Sequence, residues 1–453
     1  MKGDAIETGR LRLKPHQVKA LAYCLGQRHP ALFLEMRLGK TLVVIRAVKF
    51  YGPAVKRVLV VAPNSALDGW VDQLQDEGEA WVMLRGERDK RLDLMKSPVK
   101  WFLVNKEAFL VLPELASMPW DVVVLDESTF IKNPKAKVSK FYCHNFRGVK
   151  HRFILTGTPN PESDLEFFCQ FQFLDGHFMG FANYWSFRIK HFSQMMFDWV
   201  AKPGTKKTIA QVVAKRAFVL RRKDAGFDIP KVKQVRRVFL DKKTRLAYDK
   251  LERDFATELD GHELKTLWAG AKFAWLRQLA NGFIKGEMSW SGKVKELSDL
   301  LTGELKGEKV VVWFNFNAEV KAVHQALVDL GIKAASLTGE TLLKLRKEWV
   351  EDFRRGSIQV LLLQQAVAQT GLDLSAADTA IYFSLPTSLM AMKQTEDRIL
   401  KMGKSGLLYL YLVTAKTVDE DVFEGSRAKG LTNDVSLARI VHERFKQRMG
   451  GME

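Results

Sequence analysis

Apolar residues gather in short runs that end in polar or glycine-rich turns. Val58–Val61, Trp101–Val104, Val122–Leu125 and Phe153–Leu155 form one set, and Val310–Phe314, Val360–Leu363, Ala380–Phe383 and Leu407–Val413 a second. Most of these runs do not alternate apolar with polar. That pattern predicts strands buried on both faces of a parallel sheet covered by helices. Helical spacing lies between them, as in Leu38–Tyr51 and Glu319–Leu330. The alternation predicts α/β layers. From about Phe167 to Phe283 the strand-like runs nearly vanish, and helical spacing dominates Arg245–Leu259 and Leu264–Phe283. The expected organisation is therefore a first α/β lobe over 8–176, a mainly helical insertion over 177–290 and a second α/β lobe over 291–448, with Arg444–Glu453 free to fray.

Composition narrows the class. A chain of 453 residues with 47% apolar and 27% charged residues holds two or three domains with full cores. Its net charge of +19 favours a polyanionic partner, nucleic acid being the commonest; a merely soluble basic protein is the alternative. Cys24, Cys143 and Cys169 are scattered and form no ligand cluster, even with His16, His144 and His151. A reducing compartment is expected, the cytoplasm, with no membrane partner, because no apolar run approaches a membrane span. Arg216, Arg221, Arg222, Lys223, Arg236 and Arg237 read equally as phosphate contacts or as solvated helix faces. The aromatic crowd at Phe167–Phe173 and Phe178–Phe192 has a spacing closer to core packing than to a base-stacking platform.

Two segments carry candidate chemistry. Leu32–Leu34 leads into Glu35–Met36–Arg37–Leu38–Gly39–Lys40–Thr41 and then a helix. A strand–loop–helix turn of this kind points backbone N–H groups at phosphate. Lys40 would reach the β- and γ-phosphates and Thr41 would bind magnesium. Leu34 stands where the full phosphate-loop pattern wants glycine, so a plain turn with a surface lysine stays open. The second segment is Asp126–Glu127 at the end of a buried run. Paired carboxylates there need their charge offset; magnesium held by Asp126 would do so, and Glu127 would orient the attacking water. Solvated acids in a turn are the alternative. In open parallel sheets ligands sit beyond the carboxyl ends of strands, so both segments fall on one edge.

The order of further motifs resembles the Swi/Snf-type branch of superfamily 2 helicases over nearly the whole chain. Lys14–Gln17 looks like the leading motif, in which Gln17 reads adenine. Glu35–Thr41 resembles the family's phosphate loop, with Arg37, Leu38 and Gly39 beside the nucleotide. Val60–Pro63 with Ser65 and Trp70 resembles a motif lying along the nucleic-acid backbone, and Asn105–Lys106–Glu107 a further contact. Asp126–Glu127–Ser128 with Ile131–Asn133 looks like the magnesium motif, and Leu155–Thr156–Gly157–Thr158–Pro159 like the motif coupling hydrolysis to movement. Leu220–Asp224 before Ile229–Pro230, Trp313–Phe316, and Leu337–Thr341 with Arg346 and Phe353 continue the series. Gly371–Leu374, including Asp373, resembles the motif touching DNA and nucleotide. Gln394–Arg398 resembles the last, with Arg398 as arginine finger.

The resemblance implies two RecA-like lobes and a DNA-dependent ATPase that uses ATP and magnesium to move along duplex DNA, with single strands also possible. Lys40, Asp126, Glu127, Arg398 and Lys401 would carry the chemistry. Pro63, Ser65, Asn105, Lys106, Thr156, Gly339, Thr341, Gln365, Gly371 and Gln394 would meet nucleic acid. A monomer is expected, with a protein partner possible. The compact size suits a phage or bacterial member, and the compartment would then be the host cytoplasm. Strand separation, annealing or branch migration by the same motor is the alternative, as is a DNA-binding subunit with weak ATPase awaiting a partner. Four departures stand out. Arg37 replaces a glycine, Thr129 a histidine, Gln364–Gln369 lacks a glycine pair, and Lys401 replaces the second arginine of a fork. Lysine offers only a point charge to the phosphoryl group, so slow or partner-dependent hydrolysis is expected.

Overall fold

Every side chain of Ala31–Leu34 is buried, as a strand covered on both sides requires. The computed structural model makes this run the first strand of a parallel sheet. It describes residues 12–157, 159, 163–195, 198–227, 229–254, 256–259, 262–265, 269–370, 372–401 and 403–427. Chain contacts divide into two units, Met1–Asp228 and Ile229–Glu453.

Unit 1 contains β1 (Ala31–Leu34), β2 (Val58–Ala62), β3 (Trp81–Met83), β4 (Trp101–Asn105), β5 (Val122–Asp126), β6 (His151–Thr156), β7 (Phe192–Met195), β8 (Asp198–Ala201) and β9 (Phe218–Leu220). Its helices are α1 (Pro15–Leu25), α2 (Lys40–Phe50), α3 (Asn64–Asp76), α4 (Arg88–Leu94), α5 (Lys137–Asn145), α6 (Phe167–Asp175), α7 (Tyr184–His191) and α8 (Thr205–Arg216). The sheet order is β3-β4-β2-β5-β6-β1-β9, and its pairings are parallel. Successive side chains point to opposite faces, so the inner strands each feed two cores. Phe33, Val61, Val104, Leu125 and Ile154 enter one; Leu32, Val60, Leu103, Val124 and Leu155 enter the other. The aromatic crowd of α6 and its surroundings joins the first core, with Phe167, Phe168, Phe171, Phe173, Phe178, Phe187 and Phe192 all buried. β7 and β8 form a separate antiparallel hairpin.

Unit 2 contains β10 (Lys231–Val238), two short hairpins β11 (Ala256–Leu259) with β12 (His262–Lys265) and β13 (Phe283–Ile284) with β14 (Glu287–Met288), then β15 (Val310–Phe314), β16 (Ala334–Leu337), β17 (Val360–Gln364), β18 (Thr379–Tyr382) and β19 (Leu407–Thr414). The sheet order is β10-β19-β18-β15-β17-β16, again with parallel pairings. Around it lie α9 (Lys242–Asp254), α10 (Ala269–Ala280), α11 (Gly292–Thr302), α12 (Asn317–Asp329), α13 (Leu343–Arg355), α14 (Leu389–Arg398) and α15 (Val418–Arg427). No helix among the described residues is long and apolar enough to cross a membrane.

The two parallel α/β lobes are as the sequence predicts. The segment 177–290 is different: it is not one helical body. Its first part returns to unit 1, where β9 adds to β1. Its second part opens unit 2, where β10 pairs along its whole length with β19. Both strands lie at sheet edges, where one partner supplies the backbone bonds and no continuous apolar run is needed. The outer limits 8 and 448 lie outside the described residues.

Candidate active site

The phosphate-loop candidate joins β1 to α2. Gly39 has φ 76°, and a Cβ on it would lie 2.1 Å from Gln17 Nε2. Conformation and space both demand glycine here. Arg37 also sits in the left-handed region, at φ 69°. The backbone thus shows why a glycine suits that position, and a side chain there costs about 1 kcal/mol. His16 Nε2 lies 3.1 Å from Leu38 O and Gln17 Nε2 donates to the same oxygen at 3.5 Å. These two contacts brace α1 against the loop, and Lys14 N, donating to Gln17 Oε1 at 2.8 Å, caps the start of the same helix. Lys40 Nζ folds back onto Leu34 O at 2.9 Å, and Thr41 stands half-buried in the first turn of α2.

The acidic pair closes β5. The neighbours β5, β6 and β1 end side by side, bringing Asp126, Thr156 and the loop to one edge. Asp126 is buried; Trp70 Nε1 donates to its Oδ2 at 2.8 Å, and Glu127 N to its Oδ1 at 2.9 Å. Burial, then the charge of Glu127, pushes the Asp126 carboxyl up to about 6 despite the opposing charge of Lys40. A cation beside it would reverse that shift. Glu127 has φ 51°, a strained turn that aims its side chain back along the edge, where Thr156 Oγ1 donates to Oε2 at 3.1 Å. Gly157 packs against the loop: a Cβ there would be 3.4 Å from both Leu34 O and Met36 N. Among the described residues no three His, Cys, Asp or Glu side chains cluster to hold a metal alone. One carboxylate and one hydroxyl, Asp126 and Thr41, are the donor set that suits magnesium, which takes its other ligands from phosphate and water.

Two sequence expectations change here. Thr156 does not line a surface for nucleic acid; it is fully buried and bonded to Glu127. Trp70 does not lie along a nucleic-acid track; it is buried and holds Asp126. Sequence reading named Glu35 in the loop but missed its partner: Oε2 accepts from Arg222 N at 2.9 Å, with Arg222 Nε 3.4 Å away. Beside it Phe227 meets the His16 ring edge-on at 5.1 Å. The segment after β9 thereby buttresses the loop, and Arg222 is engaged with protein. The cue in the sequence is its apolar run Phe218–Leu220 before a basic stretch, short enough to pass unnoticed. The other expected contacts lie at the ends of β2 and β4, neighbours in the sheet. Pro63 precedes α3, while the side chain of Ser65 lies outside the described residues. Asn105 Nδ2 donates to Glu107 Oε2 at 3.0 Å, and Lys106 Nζ is 3.6 Å from Glu107 Oε1.

In unit 2, Arg346 props the turn after β16: it donates to Thr341 O at 2.8 Å, Thr338 O at 2.9 Å and Gly339 O at 3.0 Å. Gly339 N donates to Gln364 Oε1 at 3.2 Å, and Thr341 Oγ1 accepts from Thr338 N at 3.0 Å. Asp373 accepts from Arg354 Nη2 at 3.0 Å and from Ser375 N at 3.2 Å. Gly371 lies outside the described residues. Gln365 departs from expectation: its side chain is buried and Nε2 donates to Ser384 O at 2.9 Å, so it supports the strand ends instead of facing nucleic acid. On α14, Gln394 is half-buried and Arg398 nearly buried, whereas Lys401 beyond the helix is exposed. The helix is pinned just before Arg398. Thr395 Oγ1 meets Tyr382 Oη at 2.8 Å, Tyr411 Oη donates to Glu396 Oε1 at 3.0 Å, and Lys233 of β10 pairs with Glu396.

Behind these strand ends lies a buried polar network. Lys293 Nζ donates to Asp419 Oδ2 and Asn281 Oδ1, both at 2.6 Å, and to Phe383 O at 2.9 Å. Ser384 Oγ donates to Glu319 Oε2 at 2.6 Å and accepts from Asn315 N at 2.7 Å. With its carboxamide turned to give both ends partners, Asn315 accepts from Arg277 Nη1 at 2.8 Å and donates to Gln365 Oε1 at 3.3 Å. Burial pushes the Glu319 carboxyl up to about 7, against the Ser384 hydroxyl and the nearby Lys293 and Arg277 charges.

Comparison with known proteins places these motifs in context. The profile of the SNF2-related domain matches residues 16–282, and that of the helicase conserved C-terminal domain matches residues 292–403. The putative ATP-dependent helicase/translocase YwqA of Bacillus subtilis is 24% identical over 459 residues, 93% of this chain and 48% of that protein. The SWI/SNF-related matrix-associated actin-dependent regulator of chromatin subfamily A-like protein 1 of Drosophila melanogaster is 23% identical, over 91% of this chain and 54% of its own. The putative protein p41 of Acyrthosiphon pisum secondary endosymbiont phage 1 is 24% identical over 94% of this chain and 97% of its own. The chain thus spans about half the length of the first two relatives and nearly all of the phage protein. The Sulfolobus solfataricus SWI2/SNF2 ATPase core in complex with dsDNA aligns over 98% of this chain and 97% of its own, at 18% identity and a TM-score of 0.46.

Proposed function

The chain belongs to the SNF2-related family, and we propose from that premise that it is an ATPase stimulated by DNA, coupling ATP hydrolysis to movement along the duplex. One observation carries the reading: Asp126 and Thr156 end adjacent strands of one parallel sheet, Glu127 follows the first, and Lys40 opens the helix after their neighbour β1, with Thr156 bonded directly to Glu127.

In this reading Gln17 holds adenine, and the backbone of Arg37–Thr41 and the Lys40 ammonium hold the phosphates. Thr41 and Asp126 would hold magnesium, which supplies positive charge to the phosphate oxygens. Lys40 gives up Leu34 O for phosphate. Glu127 accepts a proton from water or orients it, and Trp70 keeps Asp126 in place. Arg398 serves the transition state as the arginine finger. Thr156 hears of the reaction through its bond to Glu127, and Gly157 passes any shift to the loop it packs against. Pro63, Asn105 and Lys106 of unit 1 and Gly339, Thr341 and Gln394 of unit 2 meet phosphates, which position the motor without reading sequence. The compartment proposed is the cytoplasm, of the host for a phage protein.

The test is ATP hydrolysis alone and with single-stranded DNA, duplex DNA or RNA, each at two salt concentrations. Strong, salt-sensitive stimulation by duplex DNA, absent in Glu127→Gln, is expected. No hydrolysis with any nucleic acid would overturn the motor reading. Exposed Lys401 in place of the fork's second arginine favours one second reading, a subunit whose hydrolysis awaits a partner; Lys401→Arg should then raise the rate without one.

A further inference from the structure

The motifs leave one surface of unit 1 unused. Asn183 caps α7, accepting from Trp185 N at 2.8 Å and Ser186 N at 3.2 Å. The helix buries Phe187 and turns Trp185 and Ile189 outward, 40% and 63% exposed. Arg188 is wedged among indoles, its guanidinium carbon 3.9 Å from the centroid of Trp199 and 4.4 Å from that of Trp185. Its Nε is buried without a hydrogen-bond partner among the described residues. Lys135, from the segment before α5, places its Nζ 5.1 Å from the centroid of the Trp185 ring. The β7–β8 hairpin follows, and α8 is tied back to the end of α7. Thr205 Oγ1 donates to His191 O at 3.0 Å, and Lys202 Nζ to Ile189 O at 2.8 Å. α7, the hairpin strands and the start of α8 therefore form one assembly.

Its charge is predominantly positive. Between Tyr184 and Ala210 stand Arg188, Lys190, Lys202, Lys206 and Lys207 against one acid, Asp198. Lys202 is taken up in capping α7, but Lys190, Lys206 and Lys207 are exposed. Lys206 and Lys207 occupy the first turn of α8, which has no acid. Cations at that end oppose the helix dipole and cost a few tenths of a kcal/mol each. A solvated helix face commonly mixes signs; this one concentrates positive charge where the dipole already favours an anion, on the same assembly that presents an exposed indole stacked on Arg188.

We infer that this surface is a second nucleic-acid contact on unit 1. Lys190, Lys206 and Lys207 would hold phosphates and Trp185 a base or sugar face, apart from the contacts at the β2 and β4 ends. Stacking and phosphate neutralisation together fit a nucleic-acid strand; an acidic protein would use the charge and leave the pinned indole without a role. The inference rests on the DNA-motor reading only for the identity of the track.

The experiment measures binding of the full chain to fluorescent duplex and single-stranded DNA across a range of salt. Lys190→Ala/Lys206→Ala/Lys207→Ala should lower the slope of log Kd against log salt by about 2 to 3, at roughly 0.9 per duplex phosphate contact. Trp185→Ala should weaken single-strand binding about tenfold, and the duplex less. DNA-free hydrolysis should stay at the wild-type rate in both, since none of these residues serves the nucleotide. Unchanged slope and affinity in a chain whose hydrolysis DNA still stimulates would overturn this inference and leave the motor reading standing. A wild-type chain that binds no DNA would overturn both. Displacement of DNA by polyglutamate, with Trp185→Ala silent, would reassign the surface to an acidic protein and overturn it too.

Discussion

Each unit has its own parallel sheet with helices on both faces, yet the two hold their candidate residues in place by different means. Unit 1 works through its backbone. Arg37, Gly39 and Glu127 all have positive φ, and the acidic pair is braced by a few local bonds, Trp70 and the Glu127 N–H to Asp126 and Thr156 to Glu127. Unit 2 works through side chains, nearly all buried: Lys293, Asp419, Asn281, Glu319, Ser384 and Gln365, with half-buried Asn315, are linked behind its strand ends. Strain in a turn is local, so changing it alters chemistry more than folding. A buried network is cooperative, and losing one member leaves others unpaired in low dielectric. Substitutions should therefore fail differently in the two units.

The largest contrast is between Glu127→Gln and Lys293→Met. Glu127→Gln should cut DNA-stimulated hydrolysis by about 10²- to 10⁴-fold, with the thermal unfolding profile unmoved. Lys293→Met should do the reverse. Lys293 is fully buried, and its removal strands Asp419, a loss of about 3–5 kcal/mol. In urea, a tryptophan reporter in unit 2 such as Trp313 should unfold earlier while one in unit 1 such as Trp70 holds its midpoint. Equal shifts of both reporters would show that the units do not fold by separate rules.

The same contrast explains what the sequence discloses. Strands buried on two faces must be apolar throughout, so runs such as Val58–Val61 and Val310–Phe314 announce themselves. The site was legible because its chemistry dictates residue types in order: Gly39–Lys40–Thr41, then Asp126–Glu127. The edge strand β10, Lys-Val-Lys-Gln-Val-Arg-Arg-Val, is mostly exposed and basic and gives no such sign, which is why the division of 177–290 stayed hidden. The network was hidden for another reason. Lys293 and Glu319 lie on amphipathic helices, where a charged residue is read as facing solvent, and only packing shows them turned inward. Thr156 and Gln365 illustrate the same gap: a motif names the residue, not the direction of its side chain.

A smaller effect is expected from pH. The folded-state pKa of Glu319, about 7, lies above its ordinary 4.5, so the folded chain holds this proton more tightly than the unfolded one. The stability this contributes is complete below about 4.5 and is lost as pH rises through about 7. Thermal unfolding of unit 2 should shift to lower temperature across that window. Glu319→Gln, which keeps the partner of Ser384 but cannot ionise, should flatten the dependence. A parallel decline in the variant would assign the pH response to other groups.

The smallest effect tests unit 1's turns. Arg37→Gly puts the residue that tolerates φ 69° where a side chain is strained by about 1 kcal/mol. Glycine also frees the unfolded chain by about 0.5–1 kcal/mol, so the two terms nearly cancel and the midpoint of unfolding should move little in either direction. The informative readout is the nucleotide. A glycine here lets the loop reach the phosphates without carrying a strained side chain, at the loss of a cation that would face them. If backbone presentation governs unit 1, Arg37→Gly should leave the KM for ATP within about threefold, since the N–H donors and Lys40 remain. A rise of tenfold or more at unchanged kcat would make the Arg37 side chain a phosphate ligand, and unit 1 would then depend on side chains as unit 2 does.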